Sequence, residues 1–158
     1  MSRGAAKIKH HKLLPDQKYG STLVTKFINY IMENGKKTIA EKIVYSALED
    51  SSKKINVEPV LVLDQIIKNI GPILEVKAKR IGGANYQVPM EVNAKRKETL
   101  AFRWVIKAAQ SRKGVKMATK LTQEIIDACN GVGAAVKKKE DMHRMAEANK
   151  AFAHFARF

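Results

Sequence analysis

One stretch of the chain, residues 74 to 92, alternates apolar and polar side chains, whereas the other apolar residues mostly recur at helical spacing. Two alternating runs are joined through residues 80–85, which include the pair Gly82-Gly83, and this pattern predicts a two-stranded β-hairpin with a wide end that needs backbone freedom. No third strand is indicated by the sequence, and an isolated two-stranded ribbon is marginal in water. The fold is therefore expected to be mainly α, with a hairpin that leans its base on helices and projects its tip.

The apolar stripes and the residues that start and stop helices predict three helices before the hairpin and three after it. Before the hairpin, the first helix is expected to run from Ser21 to a stop at Asn34-Gly35. The second has a capping box at Thr38 and Glu41 and ends near Asp50-Ser51. The third begins at Pro59 and ends at Gly71-Pro72. After the hairpin, one helix ends at Gly114, one starts at Met117 and is capped by Asn130-Gly131, and one runs from about Ala134 through Ala146.

These elements predict a single compact bundle of about six helices, with a protruding two-stranded β-hairpin arm between the third and fourth. A chain of 158 residues that is 45% apolar has enough hydrophobic side chains for one core and little more. We therefore expect one domain over residues 1–158. Within it, residues 1–20 form a basic N-terminal extension, 73–92 the arm and 150–158 a C-terminal tail.

The chain carries 30 Lys and Arg against 15 Asp and Glu, a formal net charge of +15. Such self-repulsion favours a polyanionic partner, with nucleic acid as the leading candidate and an anionic membrane surface second. No apolar run is long enough to span a bilayer, and the N-terminus has no signal-peptide pattern. A soluble, intracellular protein that needs no membrane is expected.

The positive charge is concentrated in two segments. Residues 1–20 hold five basic and one acidic side chain, and residues 75–116 hold eleven and three, whereas residues 21–74 are almost neutral with seven and six. The neutral stretch is typical of structural scaffold. The two basic segments are therefore predicted to form the binding surface.

The hairpin itself is a candidate for nucleic-acid contact. It carries Lys77, Lys79 and Arg80, with Tyr86 available to stack on a base, and Pro89 requires an edge position because it donates no ladder hydrogen bond. The arm is predicted to insert along a nucleic-acid backbone or groove. The alternative is a solvent-exposed hairpin with ordinary surface lysines.

Signals for other kinds of site are weak. The stretch GVGAAV at 131–136 follows a predicted helix, so it indicates a turn rather than a dinucleotide fingerprint, and the four histidines lack metal-ligand spacing. Cys129 is the only cysteine, which excludes an internal disulfide. Trp104 and Cys129 are expected in the core, and the histidines on the surface or facing RNA.

No catalytic constellation is indicated, because the carboxylates mostly fall at helix caps or on solvated faces. In particular, no recognisable arrangement is formed by Asp16, Glu98, Glu124 and Glu147. Neither an enzyme, nor a metal, nor a cofactor is predicted. The run Lys137 to Lys139 lies at a helix start, where the dipole disfavours cations, so phosphate contact competes with a solvated face as its explanation.

Several longer motifs together identify a family. These are DQKYGS at 16–21, KFINYIMENGKK at 26–37, KRIGGANYQVPMEV at 79–92, TLAFRW at 99–104 and HRMAEANKAFAHF at 143–155. In order and over nearly the whole chain, they resemble the bacterial-type protein seven family of the small ribosomal subunit. The tail, which ends in ARF, departs from the arginine-tryptophan ending of many members.

The resemblance implies a helical bundle with a hairpin arm that binds ribosomal RNA early, in the 3′ major domain, and nucleates assembly of the subunit head. The positions it implies for ribosomal-RNA binding are Arg3, Lys7, Lys9, His10, Lys77, Lys79, Arg80, Lys95, Arg96, Lys97, Arg103, Arg112, Lys113 and Lys116, to which the charge run adds Lys137 and Lys138. Those it implies near exit-site transfer RNA, the messenger path or a neighbouring protein are Arg80, Gly82, Gly83, Asn85, Tyr86, Arg144 and Lys150.

The resemblance also implies contacts with small-subunit proteins nine and eleven, a place in the cytoplasmic ribosome and no homo-oligomer, while an organellar ribosome stays open.

Two other functional classes remain as alternatives. An architectural DNA-binding protein also joins helices to basic ribbons, but its wedging proline belongs at the arm tip, whereas Pro89 lies down the return strand. An RNA-modifying enzyme is disfavoured by the missing catalytic residues.

Overall fold

A computed structural model of the chain describes residues 12–157. Within this range the elements are α1 (Thr22–Ile31), α2 (Lys37–Ile55), α3 (Pro59–Ile70), β1 (Leu74–Ile81), β2 (Ala84–Glu91), α4 (Ala94–Ser111), α5 (Met117–Cys129), α6 (Ala134–Ala148) and a C-terminal 3₁₀ helix (Lys150–Arg157). The predicted fold class is confirmed: the protein is mainly helical, with a two-stranded antiparallel hairpin between α3 and α4.

The core lies where the apolar stripes of α1 to α5 meet; α6 adds Ala135 to it, and Val136 packs against it. Its largest fully buried aromatic side chains are Phe27 and Phe102, whose ring centroids lie 4.9 Å apart. Burial of one such side chain contributes about 1.5–3 kcal/mol. Trp104 packs at the edge of this core, and burial raises the pKa of the Cys129 thiol to about 11. Cys129 is therefore a core residue, as predicted, and Trp104 is partly buried against the core.

The boundaries of α2 differ from the prediction. The expected capping box is wrong, because Thr38 and Glu41 lie inside the helix and its N-cap is Lys36, which makes no side-chain cap hydrogen bond. The helix also continues to Ile55 instead of ending near Asp50-Ser51. The buried Ser51 hydroxyl donates to a carbonyl within the helix, and the chain leaves the helix only at Asn56, whose φ is 58°. Asparagine tolerates this left-handed conformation, which suits it to a helix end.

The end of the hairpin is tighter than predicted. The ladder runs from Leu74 paired with Glu91 to Ile81 paired with Ala84, so only Gly82 and Gly83 form the turn. Their φ angles of 58° and 89° are those that a two-residue hairpin turn requires. The predicted wide end between Arg80 and Asn85 is therefore wrong, because two consecutive glycines reverse the chain without a longer loop.

The register of the hairpin places unlike side chains on the same face. Residues directly opposite each other in an antiparallel pair point the same way. Lys77 is opposite Val88 and Lys79 is opposite Tyr86. Lys77 and Lys79 therefore share a face with the apolar side chains of Val88 and Tyr86, which gives that face a mixed character.

The connection from α3 to the hairpin passes through a close contact at Gly71. A Cβ atom at this position would lie within 3.0 Å of the Ile67 carbonyl oxygen and of two carbons of the Lys97 side chain. The glycine is buried, and its backbone is in an ordinary conformation with φ of −62°. Gly71 is therefore required by space rather than by backbone conformation, and the Lys97 stem covers the root of the arm.

A buried carboxylate joins α4, α5 and α6. Glu124 is fully buried, so it departs from the expectation that the carboxylates mostly lie at helix caps or on solvated faces. Its Oε2 accepts from Arg112 Nε at 3.0 Å and Nη2 at 2.6 Å, and its Oε1 accepts from the backbone N–H of Ala135 at 3.0 Å. Asp127 also pairs with Arg112. Hydrogen bonds from Arg112 to Glu124 and then to Asp127 raise the pKa of the guanidinium, so Arg112 stays charged.

Replacement of Gly71 by alanine is expected to destabilise the protein by about 1–3 kcal/mol, because the new methyl group overpacks a filled site. Urea unfolding measures this loss. Lys97→Ala in the same chain should recover part of it, since it removes one of the two clashing groups and leaves the Ile67 carbonyl. An unchanged unfolding midpoint in Gly71→Ala would contradict the contact.

Glu124→Gln is expected to lower the free energy of unfolding by about 3 kcal/mol, since it leaves Arg112 short of a buried partner. The exposed Glu140 offers a matched control, and Glu140→Gln should change stability by less than about 0.5 kcal/mol. Both are measured by urea denaturation. Equal, small effects of the two substitutions would show that the buried cluster contributes little.

Candidate nucleic-acid interface

A buried carboxylate organises the base of the arm. Glu75 is 5% exposed; Lys77 Nζ lies 3.1 Å from its Oε1, and Arg96 Nε donates to its Oε2 at 3.0 Å. Burial alone would raise the pKa of Glu75, but the hydrogen bonds from Arg96 and Lys77 outweigh it and hold this pKa below its usual value. The structure thus brings two predicted RNA-binding residues together, one from β1 and one from α4. Two cations around one anion leave a net positive charge there.

The tip of the arm presents its charge and its backbone to solvent. Arg80, Gly82, Gly83 and Asn85 are all exposed. Arg80 and Asn85 are opposite each other in the ladder, so their side chains share one face. No ion pair joins Arg80 to another described residue. These four residues are arranged so that a ligand can reach them without displacing any part of the chain that the structure describes.

Tyr86, in contrast, is in contact with the C-terminal 3₁₀ helix. Its ring centroid lies 5.2 Å from that of Phe152 and 5.4 Å from that of Phe155, and Lys79 Nζ donates to the Phe155 carbonyl at 3.1 Å. The ring is half-buried, so the predicted stacking of a base on Tyr86 has to use the ring edge left exposed or displace the helix. The sequence signal was the pair of phenylalanines three residues apart in the tail.

The outer face of α4 carries the next group of predicted contacts. Lys95 is exposed at the start of the helix, and Arg103 is exposed two turns later with its guanidinium 5.8 Å from the Tyr30 ring centre. The Lys97 side chain runs along Gly71, as described above, and is only half-exposed. The helix therefore offers Lys95 and Arg103 to a ligand more fully than Lys97.

The loop from α4 to α5 carries three predicted RNA-binding cations, of which one is paired within the protein and two are exposed. Arg112 is committed to Glu124 and Asp127. Lys113 and Lys116 are exposed and make no ion pair with the described residues. Phosphate contact by Arg112 stays a prediction, but its guanidinium would have to serve internal carboxylates at the same time.

The lysine run at the start of α6 also contains both exposed lysines and one that is hydrogen-bonded within the protein. Lys137 and Lys138 are exposed, whereas Lys139 Nζ donates to the Asn69 carbonyl at 2.8 Å. Farther along, Arg144 lies 3.6 Å from Asp141, and Lys150 pairs with Glu147 at 3.4 Å, both at exposed positions where such pairs are weak. Arg144 and Lys150 are therefore free to exchange partners.

His143 has an internal contact that its sequence context did not reveal. Its Nε2 accepts a hydrogen bond from the backbone N–H of Ile73 at 3.1 Å. His143 is half-exposed, so it lies at the surface as predicted, but one of its ring nitrogens is engaged by the backbone of a distant segment. The partner is 70 residues away along the chain, so no local pattern could have indicated it.

Four of the predicted RNA-binding positions lie outside the residues that the structure describes. Arg3, Lys7, Lys9 and His10 belong to residues outside 12–157. Within 12–157, no three His, Cys, Asp or Glu side chains are grouped as a metal ion would require. In that same range, no helix is long and apolar enough to cross a membrane.

Comparison with known proteins gives a consistent result. Residues 2–150 match the family described as Ribosomal protein S7p/S5e. The protein named small ribosomal subunit protein uS7 from Carboxydothermus hydrogenoformans is 55% identical over 143 residues, 90% of this chain and 92% of that protein. Its namesake from Thermosipho africanus is 52% identical over 155 residues, 98% of this chain and 99% of that protein.

The match covers α1 to α6 and the arm, and it ends where the C-terminal 3₁₀ helix begins. The expectation that the chain is not an enzyme is confirmed by the family, in which RNA binding is typical. The chain therefore belongs to the Ribosomal protein S7p/S5e family of structural, non-enzymatic ribosomal proteins.

Proposed function

We propose that this protein is a structural constituent of the small ribosomal subunit that binds ribosomal RNA of the 3′ major domain directly and nucleates assembly of the subunit head. One observation carries the proposal: within the basic segments and the lysine run of α6, a set of exposed cations makes no ion pair with the described residues, whereas Lys77, Arg96 and Arg112 pair with carboxylates of the protein. The set, called here the exposed cations, consists of Arg80, Lys95, Lys113, Lys116, Lys137 and Lys138.

The binding energy of such a surface comes largely from counterion release. Each Lys or Arg that neutralises a phosphate frees condensed cations, so a footprint of about ten phosphates gives a salt slope on the order of −7 to −9. An exposed lysine loses little on binding, because it gives up no protein partner. Arg112, in contrast, would have to weaken its pairs with Glu124 and Asp127. The exposed cations are therefore the preferred phosphate ligands.

Specificity requires a shape that phosphate contacts alone do not provide. The deep major groove of A-form RNA is closed to side chains, so proteins recognise folded RNA by its shape and by its unpaired segments. Here the cations are distributed over the arm, α4, the α4–α5 loop and α6, on a scaffold with one continuous core. A folded RNA junction presents phosphates at several fixed directions, and this arrangement suits such a target better than a straight duplex.

The arm tip and the end of α6 are proposed to lie near exit-site transfer RNA and the messenger path. The exposure of Arg80, Gly82, Gly83 and Asn85 supports this part of the proposal. Arg144 and Lys150 are exposed near the end of α6, where they would meet RNA or a neighbouring protein. Small-subunit proteins nine and eleven are the proposed neighbours, and the cytoplasmic ribosome is the proposed location.

Lys113→Ala with Lys116→Ala is expected to weaken binding to a 3′ major-domain RNA fragment by on the order of tenfold near 0.15 M salt. Loss of two phosphate contacts should also flatten the salt slope by about 1.4–1.8. The matched control is Lys53→Ala with Lys54→Ala, which removes the same charge from exposed positions of the near-neutral scaffold. A salt titration that shows equal losses for the two variants would indicate that only net charge matters.

A photo-crosslinking amino acid in place of Asn85 is expected to link to transfer RNA in assembled ribosomes that carry an exit-site transfer RNA. The same group at Lys54 serves as the control and should give no such product. Analysis of the crosslinked RNA measures both. Crosslinks from position 85 to ribosomal RNA alone, with the exit site filled, would contradict the proposed place of the tip.

A further inference from the structure

The root of the arm is tied to α6 through the backbone of Ile73. Its carbonyl accepts from the Val92 N–H at 2.9 Å, one residue before β1 and one after β2, which extends the hairpin pairing beyond the strands. Its own N–H donates to His143 Nε2 at 3.1 Å. One residue thus connects the hairpin pairing with a helix distant in sequence. Both backbone groups of Ile73 are used, although its side chain is exposed.

Lys139, one helical turn before His143, makes a second contact between α6 and the segment that leads into the arm. Residues four apart lie on the same face of a helix, so Lys139 and His143 face the same side of α6. Lys139 Nζ donates to the Asn69 carbonyl at 2.8 Å, in the last turn of α3, where carbonyls lack helical partners. The ammonium group therefore satisfies a helix end that leads directly into the arm.

The side chain of Asn69 carries the connection to α5. Its Nδ2 donates to the carbonyls of Ala128 and Cys129, each at 3.0 Å, at the end of that helix. From the other side, the Lys97 stem of α4 covers Gly71. The segment from Asn69 to Ile73 is consequently held by contacts with α4, α5 and α6. A hairpin that cannot stand alone is thereby fixed at its root.

We propose that Lys139 and His143 are positioning residues that set the direction of the arm before RNA binds, and that Lys139 is not a phosphate ligand although it belongs to a lysine run. A fixed arm loses less conformational entropy on binding, which favours affinity. His143 can accept at Nε2 only when that atom carries no proton. Burial and then the nearby Lys139 charge lower the pKa of His143, which keeps the acceptor available at neutral pH.

The test compares two adjacent lysines in the full chain. Lys139→Met keeps the aliphatic stem and removes the donor to Asn69, whereas Lys138→Met removes an exposed charge of the same kind. In the free protein, the Ile73 amide is expected to exchange with solvent at least about fivefold faster in Lys139→Met, as loss of about one hydrogen bond implies. Lys138→Met should leave that exchange rate unchanged.

His143 provides a second pair of variants. His143→Leu removes the acceptor and should accelerate Ile73 amide exchange, whereas His143→Gln retains an acceptor oxygen and should restore part of the protection. A merely space-filling role for His143 would give the opposite order, since leucine packs better than glutamine. Protection of Ile73 that is the same in Lys139→Met, His143→Leu and the unaltered chain overturns the proposal.

RNA binding gives an independent readout, and this part of the inference rests on the proposed function. In a salt titration with a 3′ major-domain RNA fragment, Lys138→Met should flatten the slope by about 0.7–0.9, as expected for one lost phosphate contact. Lys139→Met should weaken binding by a constant factor with an unchanged slope. A flattened slope in Lys139→Met overturns its positioning role. Absence of RNA binding by the unaltered chain refutes the proposed function alone, and the exchange rates then decide the positioning role.

Discussion

The structure depends on the anchoring of a two-stranded ribbon that is too small to be stable by itself. Three groups of contacts supply the support: the Glu75 carboxylate with Arg96 of α4, the Ile73 backbone with His143 of α6, and the Tyr86 ring with the C-terminal 3₁₀ helix. They act at the base, at the root and along the length of the hairpin. Helices on several sides thus convert a flexible ribbon into an arm with a defined direction.

The basic residues around the arm and the ends of the helices fall into two classes. In the first class, Arg96 and Arg112 pair with the buried carboxylates of Glu75 and Glu124. Lys139 donates to the Asn69 carbonyl. These contacts join secondary-structure elements to one another. The exposed cations have no such partners among the described residues and are available to phosphates. The paired cations stabilise the scaffold. The unpaired cations repel one another, and binding of a polyanion would offset this repulsion.

Much of the fold could be predicted from the sequence, because helix stripes and the alternation of the hairpin are local patterns. The end of α2 was missed because Ser51 is a buried helical residue and the left-handed Asn56 supplies the true stop. The contacts that organise the candidate interface are distant in sequence. Glu124, Tyr86 and His143 look ordinary in their own segments, and their partners are brought to them only by the packing of other helices.

Direct recognition of the 3′ major domain by this chain alone is the central claim, and binding to isolated RNA domains tests it most directly. The free protein is titrated, without other ribosomal proteins, against the 3′ major domain and against a 5′ domain fragment of equal length. The predicted result is saturable binding that is much tighter for the 3′ major domain at moderate salt. Equal affinity for the two fragments, or binding that requires other proteins, would contradict the claim.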